Sequence, residues 1–273
     1  MASRSSDPIA DQRDGAPGGR LRGRVAVLTG ASRGSGAAVA TAFAREGAAV
    51  GLNHLPRADM RHLAEQVTKQ IVADGGAAIS VGADVSDPAA VDGMIAAVRD
   101  AFGPPDVLVL NAAASGRAPW TDIDLDSWDH VTAVNLRGAF LCARAAYPGM
   151  RDKGYGKIIT VSSVMVELGL PGALHYVTSK AGIIGFTRAL AREVGRDGIR
   201  VNCVMPGAIR TEHEMETFPD EEERLRRAAA TRQSVPRRGV PADMVGAFTY
   251  LASTDSDFMT GQVINVDGGW AHY

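Results

Sequence analysis

Short apolar runs alternate with longer amphipathic segments along the chain from Arg24 onward. The short runs predict seven β-strands, at residues 25–29, 48–52, 77–81, 107–110, 157–161, 200–204 and 262–266. The segments between them predict helices over residues 36–46, 59–73, 88–102, 125–150, 174–194 and 241–252. Strands that alternate with helices are typical of a parallel sheet covered on both faces. We therefore expect an α/β fold built on a doubly wound parallel sheet of about seven strands.

No linker-like change in composition divides the chain, so the pattern predicts a single domain over residues 23–273. Residues 1–22 are polar and lack the apolar region of a signal peptide, which predicts a flexible leader. Residues 208–238 interrupt the rhythm with a charged stretch that includes Asp220 and Glu221. This stretch is either a solvated surface helix or a mobile lid over a site at the carboxyl ends of the strands.

Composition excludes several classes of function. The 273 residues carry a formal net charge of −2 with no concentrated basic stretch, so a nucleic acid partner is not expected. Cys142 and Cys203 have no metal-binding spacing, so we expect neither a zinc site nor a disulfide framework. No apolar run approaches the roughly 20 residues of a membrane span. We expect a cytoplasmic protein without a bound metal ion.

A glycine-rich loop follows the first predicted strand and precedes the first predicted helix. Glycines there allow the backbone to approach a pyrophosphate, and the helix N-terminus offers unpaired N–H groups to the anion. The sequence therefore predicts a dinucleotide site. The loop contributes these candidate cofactor-binding residues: Gly30, Ser32, Arg33, Gly34, Ser35 and Gly36.

Tyr176 and Lys180 lie four residues apart, on one face of the helix predicted to carry them. Ser163 precedes the tyrosine by thirteen residues. A phenol with a pKa near ~10 is a poor acid or base at neutral pH unless a neighbouring cation favours its ionised form. A tyrosine and a lysine at this spacing also occur as a packed ring beside a solvated charge, so the pair needs support from other motifs.

Five motifs in the same order provide that support, and together they resemble the short-chain dehydrogenase/reductase family. They are the Gly-x-x-x-Gly-x-Gly loop, Asn111-Ala112-Ala113-Ala114, Ser163, Tyr176-x-x-x-Lys180 and Pro206-Gly207-x-x-x-Thr211. The resemblance covers residues 23–273. It implies a Rossmann fold, a nicotinamide cofactor, carbonyl/alcohol oxidoreduction and a homo-oligomer, usually a tetramer. Ser35, Ala113 and Ala114 depart from the usual pattern of the family.

The resemblance also implies a role for each catalytic residue. Tyr176 would be the general acid/base, and Lys180 would lower the pKa of the phenol and hold the nicotinamide ribose. Ser163 would bind the substrate oxygen. Asn135 matches the asparagine that bends its helix and holds a water to Lys180. Further cofactor contacts implied by the resemblance are Asp84, Val85, Asn111, Pro206, Gly207, Ile209 and Thr211.

The choice between NADP and NAD depends on the end of the second strand. An NAD site normally has an acid there, ~20 residues past the loop, which binds the ribose hydroxyls. The sequence instead has Asn53 and His54, and we place His54 among the cofactor contacts. The end of this strand therefore has no carboxylate that would repel a 2′-phosphate. Arg33 and Arg57 add positive charge, so the sequence favours NADP (NADPH) over NAD.

The substrate is the least determined feature. The apolar stretch after Ser163 and the acidic start of the lid favour a small, neutral, partly apolar carbonyl compound, with contacts at Val164, Met165, His175 and Met215. The catalytic half resembles 3-oxoacyl-carrier-protein reductases, although Gly154 and Asp197 stand at the basic docking positions of those enzymes. It also resembles bacterial glucose dehydrogenases. A catalytically silent NADP-binding protein is a further alternative.

Overall fold

Seven parallel strands lie side by side in residues 19–272, which are the residues that the computed structural model describes. Their order across the sheet is β3-β2-β1-β4-β5-β6-β7, and every neighbouring pair is parallel. This confirms the predicted fold class. The strands are β1 (Val25–Leu28), β2 (Ala49–His54), β3 (Ala77–Gly82), β4 (Val107–Leu110), β5 (Gly156–Val161), β6 (Ile199–Pro206) and β7 (Val263–Val266).

Helices cover both faces of the sheet. They are α1 (Gly34–Arg45), α2 (Ala58–Ala73), α3 (Pro88–Phe102), α4 (Leu125–Thr132), α5 (Gly138–Lys153), α6 (Met165–Leu168), α7 (Leu174–Val194), α8 (Glu212–Thr217), α9 (Glu222–Arg232) and α10 (Pro241–Ala252). Short 3₁₀ turns occupy Trp120–Asp122, Gly195–Asp197, Pro219–Glu221 and Thr254–Ser256. None of the helices between residues 19 and 272 combines the length and apolar character needed to cross a membrane.

The central strands are apolar on both sides, so the sheet has a hydrophobic core on each face. In β1, Val25 and Val27 pack with residues of α3, α5 and α7. The alternate residues Ala26 and Leu28 pack with residues of α1, α2 and α10. Successive side chains of a strand point to opposite faces, which explains the alternation. Because both faces of the sheet are buried, we expect functional polar side chains at the ends of the strands, where the candidate site lies.

The predicted helix over residues 125–150 contains an irregular turn. Its first and last parts are α4 and α5, and Ala133–Arg137 between them forms one π-helical turn. Asn135 lies in this turn and is buried. Single π turns inside α-helices are frequent at functional sites.

The structure describes residues 19–22 of the predicted leader and all of the predicted lid. Residues 1–18 of the leader lie outside the described residues. Leu21, near its end, is fully buried in the core that contains α1 and α10, and Arg20 forms an ion pair with Glu46. Residues 19–22 therefore pack against the domain. The predicted lid region contains α8 and α9, with a 3₁₀ turn between them.

Candidate active site

A cleft of about 510 Å³ opens at the carboxyl ends of β1, β2 and β4. From β1 the strand order runs to β2 and β3 in one direction, and from β4 it runs to β5, β6 and β7 in the opposite direction. Ligands of open parallel sheets bind at such a reversal of strand order. The predicted glycine loop lines this cleft. Four other predicted cofactor-binding residues also line it, Asp84, Val85, Asn111 and Thr211, together with Arg57.

The loop between β1 and α1 fits a pyrophosphate. Gly30 and Gly34 have φ angles of +63° and +59°, a conformation that favours glycine. A Cβ atom on Gly36 would lie 2.4 Å from the carbonyl oxygen of Gly30, so this position has no room for a side chain. Arg33 precedes α1 without capping it through its side chain, and the first turn carries no acid. The positive end of α1 is therefore directed at the cleft, as anion binding requires.

Two asparagines fix the conformation of this loop. Asn111, at the end of β4, donates hydrogen bonds from Nδ2 to the carbonyl oxygens of Thr29 and Gly30, both at 3.0 Å. Asn53 accepts a hydrogen bond from the Gly30 N–H at 3.2 Å and donates to the Ala83 carbonyl at 2.9 Å. Asn53 therefore connects the loop to the end of β3. Sequence reasoning missed this residue, although an asparagine that ends an apolar strand was a signal for it.

The structure places His54 away from the cleft. Its side chain is 3% exposed, and its Nδ1 lies 2.8 Å from the carbonyl oxygen of Leu55. Asn53 lines the cleft in its place. The reason is the alternation of a strand, because adjacent residues face opposite sides of the sheet.

Arg33 lies at the cleft and is bound by the predicted lid. Its Nη1 donates to Oε2 of Glu216 at 2.5 Å, and its Nη2 lies 3.1 Å from Nδ1 of His213. Arg57 also lines the cleft and forms an ion pair with Asp59 at 2.6 Å. Burial, followed by the charge of Arg33, lowers the pKa of His213 below its usual value. The cleft therefore holds two cations, and each has a carboxylate partner.

A second cavity, of about 210 Å³, adjoins the cleft, because Ser115 and His213 line both. Ser163 and Tyr176 line this second cavity, as do Gly207 and Ile209. Of the predicted substrate contacts, Val164 and Met165 line it. Leu170 of the apolar stretch after Ser163 and Glu214 of the acidic lid start also line it. Sequence reasoning did not single out the other lining residues: Gly116, Arg117, Ala173, Ala208, Phe218, Leu225 and Trp270. Many of these come from the loop after β4 and from the lid region, far from Ser163 along the chain.

Besides His54 and Lys180, three predicted contacts lie outside the linings of both cavities: Pro206, His175 and Met215. The carbonyl oxygen of Pro206 accepts a hydrogen bond from the Val164 N–H at 2.9 Å. Pro206 therefore helps to position the backbone of Val164, which lines the second cavity. His175 is 3% exposed, and its ring packs so closely on Gly116 that a Cβ there would lie 2.9 Å from Nε2. His175 is thus a packing group beneath the loop after β4.

Burial shifts the pKa values of both members of the candidate catalytic pair. Lys180 is 3% exposed, and burial lowers the pKa of its ammonium group to about 8. Its Nζ donates to the Val161 carbonyl at 2.9 Å and lies 5.7 Å from the centre of the Tyr176 ring. Burial raises the pKa of Tyr176, and a hydrogen bond with Ser163 opposes the increase. Desolvation is the largest cause of the shift, so the net pKa of the phenol is raised.

Asn135 connects α7, the helix that carries Tyr176 and Lys180, to the loop after β4. Its Oδ1 accepts from the Ala114 N–H at 2.8 Å, and its Nδ2 donates to the Ala114 carbonyl at 3.0 Å and to Ser179 Oγ at 2.8 Å. Ser179 in turn donates to the Tyr176 carbonyl at 2.7 Å. Asn135 and Lys180 also line a cavity of about 10 Å³, which is close to the size of one water molecule.

Residues 30–271 match the profile of the family described as enoyl-(acyl carrier protein) reductase. The match spans most of the chain and includes the glycine loop, the Asn111 segment, Ser163, Tyr176 and Lys180. The chain is a member of the short-chain dehydrogenase/reductase family. As such, it is an oxidoreductase that acts on hydroxyl and carbonyl groups of a small molecule and uses a nicotinamide cofactor.

Individual family members share more than a third of the aligned residues. The (2S)-[(R)-hydroxy(phenyl)methyl]succinyl-CoA dehydrogenase subunit BbsD of Thauera aromatica is 37% identical, over 91% of this chain and 97% of that protein. The 3-oxoacyl-[acyl-carrier-protein] reductase of a Synechocystis strain is 38% identical, with the same coverage. A Beutenbergia cavernae protein described as an NAD(P)-dependent gluconate 5-dehydrogenase, solved with NADP at low occupancy, is 35% identical with a TM-score of 0.84. That structure aligns with 92% of this chain and 97% of its own.

Proposed function

We propose that this protein is an NADP-dependent ketoreductase that transfers hydride between NADPH and a neutral carbonyl or alcohol compound. One observation carries the proposal: Ser163 and Tyr176 line a cavity that opens onto the nucleotide cleft. The reacting carbonyl and the nicotinamide can therefore meet beside a proton donor. Residues 30–36, Asn111 and Thr211 would hold the cofactor.

The cofactor, when bound, supplies a hydride to the carbonyl carbon and is thereby oxidised. Tyr176 donates its phenolic proton to the carbonyl oxygen, which completes the alcohol, and it takes that proton back in the opposite direction. The phenol is protonated at neutral pH, which is the state that reduction needs, and burial moves its pKa further above neutrality. Ser163 donates a hydrogen bond to the same oxygen and stabilises the charge that develops on it. Lys180, still mostly charged below its pKa of about 8, supplies a buried cation beside the phenol.

The catalytic assignment is tested with Tyr176→Phe. We expect the substitution to lower kcat by about 10²- to 10⁴-fold, because no proton donor remains, while NADPH affinity changes by less than about twofold. Tyr250→Phe is the matched control, because this partly exposed tyrosine lies on α10 outside both cavity linings. Full activity of Tyr176→Phe with an accepted ketone would refute the mechanism. Failure of a broad ketone panel despite tight NADPH binding would favour a silent NADP-binding protein.

Arg33 supports NADP rather than NAD, because it places a guanidinium at the cleft where β2 ends without an acid. Titration of NADPH and NADH, followed by nicotinamide fluorescence, is the direct measurement. We expect Arg33→Ala to weaken NADPH binding by about 10- to 100-fold, the effect of losing a charge-assisted hydrogen bond, and to leave NADH binding within about twofold. A preference of the unmodified protein for NADH would refute the assignment.

The second cavity supports a neutral, partly apolar substrate. Its lining is mostly apolar, and its charged residues are already paired, Arg117 with Glu221 at 2.6 Å and Glu214 with Arg238. An anionic substrate would have to displace one of these carboxylates. We therefore expect kcat/KM for uncharged ketones to exceed that for ketoacids and aldonic acids of similar size. The opposite order would contradict this specificity.

Reduction of 3-oxoacyl groups on a carrier protein is the second candidate, because the Synechocystis relative bears that name. Of the three basic residues near the docking positions, Arg196 is exposed and keeps this candidate open, whereas the other two weaken it. Arg151 is paired with Asp152 at 2.8 Å, and Lys153 binds Asp106 at 3.0 Å, so neither presents an unpaired charge to an acidic carrier protein. Comparison of a 3-oxoacyl thioester of N-acetylcysteamine with the same acyl group on carrier protein decides the question. A kcat/KM more than about tenfold higher for the carrier-bound form would favour this candidate.

We also infer a homotetramer, a cytoplasmic location and a lid over residues 208–238. His213, Glu214 and Phe218 of the lid region line the substrate cavity, which supports the last of these. Light scattering coupled to size exclusion would test the tetramer. Deletion of residues 1–18 with retained NADPH binding would test whether the leader is separate from the domain that follows it.

A further inference from the structure

Helix α8 brings a carboxylate to Arg33, which lines the cofactor cleft, whereas the end of β2 has no carboxylate. Glu216 Oε2 lies 2.5 Å from Nη1 of Arg33, a residue 183 positions earlier in the chain. On the same guanidinium, Nη2 lies 3.1 Å from Nδ1 of His213, and His213 belongs to the same helix. The arginine that we assign to the 2′-phosphate is thus held by the lid.

We propose that Glu216 is a specificity-determining residue of this site: its carboxylate competes with the 2′-phosphate of NADP for Arg33. This inference rests on the assignment of Arg33 to that phosphate. NADPH must then displace Glu216, whereas NADH, with a hydroxyl group in place of the phosphate, leaves the ion pair intact. Glu216 therefore reduces the preference for NADPH over NADH that Arg33 creates.

The burial of the two side chains sets the size of this competition. Glu216 is 64% exposed, so its carboxylate returns to water at little cost when a phosphate replaces it. Arg33 is only 22% exposed, so it has limited room to bind both anions at once. Exposed ion pairs contribute little, and a dianionic phosphate attracts a guanidinium more strongly than one carboxylate does. The competition should therefore change NADPH affinity by a small factor and should not prevent binding.

The same contact couples the cofactor to the lid. Glu214 of α8 pairs with Arg238, and Glu222 of α9 pairs with Arg238 and Arg210 at 2.7 and 3.1 Å. These pairs do not involve the glycine loop, so they remain when Glu216 is released. Release of Glu216 removes the ion pair between α8 and Arg33, at the edge of the substrate cavity that His213 lines. NADP and NAD complexes should accordingly differ in how α8 is anchored.

The experiment measures dissociation constants of NADPH and NADH by nicotinamide fluorescence for the full chain and four variants. These are Glu216→Gln, Arg33→Ala, the double variant, and Asp220→Asn as the control. Asp220 is an exposed lid acid, and its replacement changes the net charge by the same amount without touching Arg33. We expect Glu216→Gln to tighten NADPH binding about two- to fivefold and to leave NADH within about 1.5-fold. The gain should vanish in the Arg33→Ala background and shrink as salt is raised.

The outcomes separate the inference from the function on which it rests. If Arg33→Ala weakens NADPH but Glu216→Gln leaves the NADPH/NADH ratio unchanged or lowers it, the competition is refuted and the cofactor assignment stands. An equal effect of Asp220→Asn also refutes it, because the change then reflects net charge alone. If Arg33→Ala has no effect on NADPH, both ideas fail.

Discussion

The burial of Lys180 leads to a stability prediction: the charge proposed to serve catalysis should destabilise the fold. The ammonium group is 3% exposed, its hydrogen-bond acceptor is the neutral Val161 carbonyl, and among the described residues no carboxylate forms an ion pair with it. Burial lowers its pKa to about 8, compared with an ordinary value of 10.5. At about 1.4 kcal/mol per pKa unit, the charged form costs the folded state about 3 kcal/mol.

Lys180→Met removes that charge and keeps a similar volume. The lost hydrogen bond to Val161 offsets about 1 kcal/mol of the gain, so we expect the variant to be about 2 kcal/mol more stable than the parent at pH 7. It should also have no measurable turnover. Urea unfolding followed by circular dichroism, at one protein concentration, measures the difference.

The pH dependence provides the sharper test. Between the folded pKa of about 8 and the unfolded value of 10.5, only the unfolded parent binds the proton, so the parent gains stability as pH rises. The advantage of the variant should therefore fall by about 2 kcal/mol between pH 7 and 9.5 and nearly disappear. Lys69→Met, at an exposed position of α2, should stay within about 0.5 kcal/mol at every pH. A Lys180→Met variant that is less stable at pH 7, with a difference independent of pH, would refute the reasoning.

Two further predictions concern residues around the site. Gly36→Ala would place a Cβ 2.4 Å from the Gly30 oxygen, so we expect at least tenfold weaker NADPH binding and a loss of about 1–3 kcal/mol of stability. The control is Gly93→Ala in α3, where the new Cβ would meet no neighbouring atom within 4 Å, and it should stabilise the protein by about 0.5–1 kcal/mol. Urea midpoints and NADPH titration measure both effects, and equal effects would contradict the close packing at Gly36. Asn135→Ala leaves the Ala114 N–H and carbonyl and the Ser179 hydroxyl without this partner, so the free energy of unfolding should fall by about 2–4 kcal/mol and kcat should fall with it. A loss below about 0.5 kcal/mol would show that Ala114 finds other partners.

The order of strands and helices could be predicted because each depends on local patterns. Apolar runs such as β1 and β4 are buried on both sides, and the glycine loop needs residues without side chains, so both leave a signal in consecutive positions. The spacing of Tyr176 and Lys180 likewise places them on one helix face. The net pKa shift of Tyr176 has no such local signal, because it depends on the groups that surround the ring in three dimensions.

Sequence alone thus determined the doubly wound sheet, the phosphate loop and the candidate catalytic residues. Only the tertiary structure decided that Asn53 rather than His54 faces the cleft, since a shift of one residue in a strand reverses the side. It also decided that Glu216 reaches Arg33 across 183 positions and that Leu21 belongs to the core. Such contacts join segments that are remote along the chain, and no local periodicity encodes which of many charged or apolar residues will meet. The motifs that indicate the reaction are therefore each encoded by residues close together in the sequence. The contacts that bear on the choice of cofactor instead depend on packing between remote segments.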